Sequence, residues 1–446
     1  MTLSGPLSRL LPLEPAGRTV TTHRAREISI IGCDRNGLTV LLDENFETCD
    51  TIAYPLSCEK VAMSITRRKI LQSSLLCAAG MVYGSAPALA QEPALSPTPD
   101  ERKRLARLAA AFMETYEVPG LSVAIAIKGK PAYVEAFGVA DREAGEALMP
   151  QHRFRMASIS KPITSTGIFT LIEAGKLQLD SHVFGPNSIL GHDYPTPPDR
   201  SVIEQITIEH LLTHTTGGWG NDSNDPMFLN QEMHHRELIA WTLNHMPLTD
   251  PVGKSFAYSN FGYCLLGRVI EKLTNQTYEQ YIKDNILKRC GITDMEIAGN
   301  TLEDRATNEV KYYDQNPGDP YGMNVARMDS HGGWIATPSD LTMFFNHIDG
   351  FKDTDQLLKD DTLRTMTTPS AANPRYAKGL FVNPQNNWWH DGSLPGTATI
   401  SVRTHSDFCW SAFTNTRSKF GDMGSALDRL PWHMVASVAD WASMAK

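Results

Sequence analysis

A serine and a lysine stand three residues apart in Met156-Ala157-Ser158-Ile159-Ser160-Lys161-Pro162, at what reads as a helix start. Side chains at i and i+3 share a helix face, so Lys161 can reach the Ser158 hydroxyl. A serine is a poor nucleophile until a neighbouring base takes its proton, and a lysine kept neutral by its surroundings can do so. The chemistry suggested is acyl transfer through a covalent acyl-serine. The spacing by itself is weak, since about one Ser-x-x-Lys is expected by chance in a chain of this length. The context is stronger. Pro162 is tolerated only near the first turn of a helix, which fixes the start close to Ser158–Ser160. Ile168, Leu171 and Ile172 then read as a buried helix that stops at Gly175. Ser158 would sit at the positive end of that helix, beside free backbone N–H groups.

Two further clusters have the right residue types. In Tyr258-Ser259-Asn260, residues i and i+2 of an extended turn point the same way, bringing a phenol and an amide into one cleft. A tyrosine beside a cationic lysine loses its proton more easily and could serve as a general base. Asn260 can hydrogen-bond both a lysine and a substrate carbonyl. Plain packing is the simpler reading of this tripeptide taken alone. In His390-Asp391-Gly392-Ser393, Gly392 lets a substrate backbone approach closely. The Ser393 N–H could pair with that of Ser158 as an oxyanion hole, and His390 could orient a substrate or hold its carboxylate. An edge-strand histidine is the bland alternative.

Other candidates fall away. His210 and His214 are four apart, but Glu209 precedes His210, so the His-Glu order of a zinc protease helix is missing and the pair reads as helix packing. His234, His235 and Glu232 lie in a polar loop. No cofactor or metal is expected. Trp388 and Trp389 alternate across a strand, where core packing of both is the simpler reading and a cleft wall the other.

The elements that must position these residues follow from periodicity. Asp100 is expected to cap a helix reaching about Tyr116, with Leu105, Leu108, Ala109 and Phe112 inward. Leu121–Ile127 and Ala132–Val139 read as a hairpin turned at Lys128-Gly129-Lys130. From about Pro162 to Asp340 the pattern is mostly helical, with a helix capped by Thr207, an apolar helix over Phe261–Leu273, and a capping box at Thr277 opening one that ends at Cys290 before Gly291. Asn221–Glu232 is loop-like. Asn387–Ser393, Thr397–Arg403 and Phe408–Thr414 form an antiparallel meander, and Pro431 is expected to open a last helix reaching Ala445. Strands at both ends with helices between give an α/β (α+β) class: one antiparallel sheet flanked by helices, about 101–157 and 331–446, interrupted by a mainly helical region, about 158–330.

The chain has 446 residues, 41% hydrophobic and 20% charged, ample for a large core. Met63-Ser64-Ile65-Thr66-Arg67-Arg68-Lys69 is followed by a short apolar run from Ile70 to about Gly84 and by Ala88-Leu89-Ala90. Basic region, apolar region and A-x-A site in that order make a secretory signal of the twin-arginine (Tat) kind over 63–90. The run is too short to span a membrane comfortably, so no stable anchor is expected after cleavage. Residues 1–62 are polar without a convincing period and are expected to be a non-native or disordered extension, with translation starting at Met63. Residues 91–446 would be the working domain, periplasmic or secreted. Residues 1–90 hold 9 basic and 8 acidic side chains, which leaves 32 against 42 in the remainder, a net charge of −10. Such an acidic domain has no electrostatic footprint for nucleic acid. Cys264, Cys290 and Cys409 could form one bridge, with nothing to select the pair.

Taken together and in order, Ser158-x-x-Lys161, Tyr258-x-Asn260 and His390-x-Gly392 resemble the three motifs of the serine β-lactamase and penicillin-binding-protein superfamily, in particular class C β-lactamases, DD-peptidases and the related family VIII esterases. Ile206–Thr215, Pro251–Gly267 and His331–Leu341 look like that superfamily's connecting signatures, and the likeness runs from about Glu101 to Lys446. The resemblance implies a β-lactamase/transpeptidase-like fold and an acyl-enzyme mechanism. Ser158 would attack, Lys161 and Tyr258 would share its proton, the N–H groups of Ser158 and Ser393 would hold the oxyanion, and Tyr258 would activate the hydrolytic water. The third motif departs from the Lys-Thr-Gly of β-lactamases. His390 is mostly neutral near pH 7, and Asp391 adds negative charge, so an anionic β-lactam is disfavoured. Class A is disfavoured too, since its second motif would be Ser-Asp-Asn. The expectation is an exported hydrolase acting on a small-molecule or peptide ester or amide, with a β-lactam or a D-amino-acid peptide among the candidate substrates. The alternative is a penicillin-binding or sensor protein that is acylated once without turnover. Oligomeric state is not legible.

Overall fold

The computed structural model describes residues 29–34, 37–41, 96–194, 201–221, 224–439 and 441. The chain divides into two compact units, Met1–Ser85 and Ala86–Lys446. In the first, β1 (Ser29–Asp34) and β2 (Gly37–Leu41) pair antiparallel, a hairpin within a stretch whose sequence shows no clear period. The stretch read as a secretory signal lies outside the described residues. Among the described residues no helix is long and apolar enough to cross a membrane.

The second unit opens with α1 (Pro99–Thr115). Its cap is Thr98, not Asp100: the Thr98 hydroxyl accepts the Glu101 N–H, and the Glu101 carboxylate accepts the Thr98 N–H in return. Pro99 at the first position fixes the entry, and Asp100 in the first turn complements the helix dipole and pairs with Lys103 at 3.0 Å. β3 (Gly120–Ile127) and β4 (Lys130–Asp141) form the expected hairpin, with Lys128 and Gly129 both at positive φ, the twist that a tight hairpin turn needs. β5 (Glu146–Ala147) and β6 (Phe154–Arg155) lead to the serine.

The helical region carries α2 (Ser160–Glu173), α3 (Ile208–Leu212), α4 (His235–His245), α5 (Asn260–Thr274) and α6 (Tyr278–Ile282). After α6 the backbone widens to a π turn over Lys283–Leu287 and tightens to a 3₁₀ turn that ends at Cys290, with Gly291 left-handed beyond it. β7 (Glu296–Ile297), β8 (Tyr313–Asp314) and β9 (Trp334–Ala336) are short. α7 (Pro338–Asn346) and α8 (Asp360–Thr367) precede β10 (Phe381–Val382), β11 (Trp388–Leu394), β12 (Thr397–Arg403), β13 (Phe408–Thr414), β14 (Thr416–Arg417) and α9 (Met423–Ala436).

The main sheet runs β10-β11-β12-β13-β3-β4-β5, antiparallel throughout, so the last strands of the chain meet the first, as the sequence pattern requires. β3 is buried along its whole length, because both faces are covered. Leu121, Val123 and Ile125 pack with Leu105 and Phe112 of α1 and Leu427 and Met434 of α9, while the small Ser122 and Ala124 admit α7, whose Thr342 hydroxyl lies 3.5 Å from the Ala124 carbonyl. Pro431 does not open the last helix. It sits inside α9, which begins at Met423 and leaves residues 442–446 outside the described chain. Gly421 and Gly424 at that start have no neighbour where a side chain would be, and so mask it in the sequence.

One buried ion pair fixes the strand that delivers the serine. Arg155 and Glu309 face each other at 3.7 Å with both side chains 1% exposed. The guanidinium lies 4.7 Å from the Tyr312 ring centre and donates to the Gly299 carbonyl at 3.0 Å, and the Tyr312 hydroxyl donates to Glu309 at 2.7 Å. Arg155→Ala would leave the Glu309 carboxylate buried without its cation, and should lower unfolding stability by about 3–5 kcal/mol. A urea midpoint close to that of the parent protein would show that the cluster is not holding this strand.

Candidate active site

Ser158 lies in a 3₁₀ turn, Ala157–Ile159, that runs directly into α2, with Pro162 in the first turn as its fixed φ demands. Two threonines on one face of β12 hold the approach: Thr397 donates to the Arg155 carbonyl at 3.0 Å and Thr399 to the Met156 carbonyl at 2.9 Å. Gly392 on the neighbouring strand is where the backbones meet. A Cβ there would stand 2.3 Å from the Met156 oxygen and 3.0 Å from the Ala157 Cβ, so only glycine fits. Ala157 has φ +51°, a left-handed conformation that costs a non-glycine residue about 1–3 kcal/mol.

Lys161 has no exposed surface. Its Nζ donates to Ser158 Oγ at 3.0 Å, Asn260 Oδ1 at 2.7 Å and the His331 carbonyl at 3.2 Å. The three acceptors come from α2's own approach, the start of α5, and the loop before β9. Burial pulls the ammonium down to about 7, against smaller upward pulls from Asp225 and Asp391. A large share of Lys161 is therefore neutral amine at neutral pH and can accept the Ser158 proton.

Tyr258 is half-buried, and its hydroxyl hydrogen-bonds Ser158. The Lys161 Nζ lies 4.6 Å from its ring centre. The idea that a neighbouring cation loosens the phenol proton meets the opposite electrostatics here. Burial pushes Tyr258 well above the usual phenol range, and Asp391 adds to this, so the resting phenol keeps its proton. Of the two, the lysine is the group that burial keeps partly unprotonated, and the Tyr258 hydroxyl lies beside Ser158.

Ser259 caps α5 through the Gly262 N–H, which turns Asn260 inward. Asn260 Nδ2 donates to Asp225 Oδ2 at 2.7 Å, which fixes its oxygen toward the lysine. His390 is 1% exposed rather than an open edge residue, and burial takes it down to about 3. Its Nδ1 lies 2.6 Å from the Asp391 carbonyl, which can only accept, so Nδ1 carries the proton and Nε2 the lone pair. Nε2 faces the hydroxyls of Tyr376 (3.3 Å) and Tyr258 (3.5 Å). A neutral ring so committed offers no charge to a substrate carboxylate, contrary to one of the roles expected for it.

The Leu394–Thr397 pair closes a two-residue turn, so alternate residues of β11 back from Leu394 bond β12. Ser393 lies between them, and its N–H points to the other edge, which β10 covers only opposite Trp388 and Trp389. Ser158 stands ahead of the first hydrogen bond of its turn, Ile159 N–H to the Met156 carbonyl, so its N–H has no partner within that turn. Ser158, Lys161, Tyr258, Asn260, His390 and Gly392 thus meet at one point, with Ser393 exposed on the same strand.

Four residues that sequence reasoning did not place also belong here. Asp225 sits in the segment read as a plain loop. His331 contributes its carbonyl. Tyr376 lies under His390. His214, read as helix packing, stands past the end of α3 at φ +58°, and its Nδ1 accepts the Ser259 N–H at 3.0 Å behind Tyr258. His210 instead caps α3, accepting the Thr207 N–H on Nδ1. Among the described residues no cluster of His, Cys, Asp and Glu could hold a metal ion. Trp388 is buried under Arg403, while Trp389 stays partly open and stacks on Phe381. Cys264, Cys290 and Cys409 are all buried free thiols.

Residues 105–430 match the family described as Beta-lactamase. The chain belongs to that family. It is 25% identical over 344 residues to Penicillin-binding protein 4* of Bacillus subtilis, covering 68% of this chain and 69% of the relative. It is 30% identical over 258 residues to Esterase EstB of Burkholderia gladioli, covering 53% of this chain and 62% of the esterase. The D-amino acid amidase of Ochrobactrum anthropi SV3, solved with L-phenylalanine amide, superposes with a TM-score of 0.63 at 20% identity, over 76% of this chain and 98% of the amidase, which shows a shared fold. The chain is a serine hydrolase of the β-lactamase/transpeptidase fold.

With Lys161 near 7, the rate of serine acylation should rise as pH passes from about 6 to 8, because the amine is the working form, and then level off. Lys161→Met should lower kcat/KM by about 10²–10⁴ and abolish that rise. A parent profile flat across this range would remove Lys161 as the titrating base.

Proposed function

We propose that this chain is an exported hydrolase that cleaves uncharged esters or amides through an acyl-Ser158 intermediate, rather than a dedicated β-lactamase. Ser158 attacks the carbonyl, Lys161 takes its proton, and the N–H groups of Ser158 and Ser393 receive the oxyanion. Tyr258 protonates the departing group and is reprotonated by the Lys161 ammonium; in deacylation the Lys161 amine takes the attacking water's proton by way of Tyr258, and that proton returns to Ser158 as the acyl bond breaks. The observation that carries the choice of substrate is His390: where a β-lactamase has a fixed lysine charge, this strand presents a neutral imidazole whose lone pair is turned to two phenols. Without that charge, the carboxylate of a β-lactam would lose its cationic partner, while a neutral ester loses nothing. The similarity to an esterase agrees with this reading, and the fold shared with an amidase is compatible with it. Export rests on the basic, apolar and A-x-A pattern of residues 63–90.

A chain acylated once without turnover would use the same residues, so steady-state hydrolysis must be measured as well as labelling. On short p-nitrophenyl esters, nitrocefin and D-alanyl peptides, residues 91–446 should turn over the esters continuously, with kcat/KM at least about 100-fold above nitrocefin. A preference for nitrocefin would overturn the substrate choice, and a single stoichiometric burst would favour the acylated sensor. Ser158→Ala should lose all fluorophosphonate labelling; a labelled variant would refute the nucleophile.

A further inference from the structure

Tyr376 has no exposed surface, and its hydroxyl lies 3.3 Å from His390 Nε2. Its ring is fixed by His214 (centres 4.8 Å apart), Phe381 (4.9 Å) and Phe256 (5.6 Å), so the hydroxyl has little freedom. His390 Nε2 has a single lone pair, because Nδ1 carries the ring's proton toward the Asp391 carbonyl. Two phenols compete for it, and the Tyr258 hydroxyl is the more distant at 3.5 Å, the limit of a useful hydrogen bond. The Tyr376 proton has one other acceptor, the oxygen of Tyr263, whose own proton is spent on the Leu212 carbonyl at 3.0 Å. An imidazole nitrogen is more basic than a phenol oxygen, so the Tyr376 proton belongs to His390.

We propose that Tyr376 is a positioning residue: by donating to His390 Nε2 it keeps that acceptor filled, so the Tyr258 hydroxyl turns to Ser158 and gives its proton to the departing group. The inference rests on the acyl-Ser158 reading. In the step concerned, the Ser158 Oγ–carbon bond forms and the bond to the leaving group breaks. The serine proton passes to Lys161, the Tyr258 proton goes to the leaving oxygen or nitrogen, and the Lys161 ammonium restores the phenol. If Tyr376 lost its hydroxyl, the Tyr258 proton would rest on His390 and be withheld from the leaving group.

That loss has a signature a packing defect lacks. A p-nitrophenolate departs as the anion and needs no proton, whereas an ethoxide does. In Tyr376→Phe, which keeps the ring, kcat/KM for an ethyl ester should fall by about fivefold or more, while that for the p-nitrophenyl ester of the same acid stays within about twofold. In the Tyr376→Phe/His390→Phe double variant the competing acceptor is gone, so the ethyl to p-nitrophenyl ratio should return toward the parent's. Equal losses on both esters, or no change on either, would overturn the proposal, as would a ratio left depressed in the double variant. Should Tyr376→Phe not fold, His390→Phe alone decides: its ratio must stay at or above the parent's, and a drop of about fivefold sinks the idea. If the parent hydrolyses neither ester and Ser158 is never labelled, the acyl-serine reading fails and takes this inference with it. If the parent cleaves both and the ratio does not move in Tyr376→Phe, only the role of Tyr376 is lost.

Discussion

Keeping one lysine amine dry is the constraint on which the rest of this site depends. Desolvation disfavours the charged form of Lys161, and three acceptors keep the amine from being merely stranded. Each acceptor is supplied by a separately anchored piece of chain. Asn260 is held by Asp225 on its amide side and by Asn221, whose side-chain oxygen accepts the Asn260 N–H at 3.1 Å. The loop carrying the His331 carbonyl is tied to α5 by the 2.6 Å pair between Arg268 and Asp329. The approach to Ser158 is held by the threonines of β12, which bond the Arg155 and Met156 carbonyls. The lysine is therefore the point where the helical region and the sheet close on each other, and its pKa reports how well they do so.

The neutrality of the surroundings follows from the same requirement. His214, His331 and His390 all lie near Lys161, and burial lowers all three, with the Lys161 charge pushing the same way. A fixed cation on β11 in place of His390 would press the lysine lower still and could stabilise a Tyr258 phenolate. With a neutral imidazole there, no such charge opposes the burial that keeps the Tyr258 proton in place.

Much of this was legible beforehand because it depended on local rules. The order of strands and helices, the start of α2 just ahead of Pro162, the cap at Thr207 and the meander at the end all follow from short-range chemistry and periodicity. The misreadings were also local. Asp100 and Thr98 are both acceptable caps, and only the reciprocal bond with Glu101 decides between them. Pro431 was read as a helix start because that is where proline usually costs least, yet α9 packs firmly enough on β12 and β13 to carry it inside. The supporting residues Asp225, His214 and Tyr376 were invisible for a different reason. Asp225 and His214 meet α5 from 35 and 45 residues away and Tyr376 meets His390 from 14, and none of these spacings announces the contact. A left-handed histidine after a helix, as at His214, is the nearest thing to a signal, and only backbone geometry reveals it.

The strained turn before the nucleophile follows from that long-range closure as well. Ala157 takes a left-handed conformation although nothing in its side chain favours one, and it does so directly opposite Gly392. Met156 has already left the extended path of β6, with φ −86° and ψ −3°. The left-handed Ala157 follows it directly, and the first hydrogen bond of the turn, Ile159 N–H to the Met156 carbonyl, then lies beyond the Ser158 N–H. Gly392 permits this by having no Cβ for Met156 and Ala157 to meet. Strain at one residue and the missing side chain at another are therefore two halves of one device, which lets the turn carrying Ser158 pack against β11 beside Ser393. An oxyanion needs donors that are already in place and already unsatisfied, and a helix and a sheet edge can supply them together only where the two backbones approach this closely.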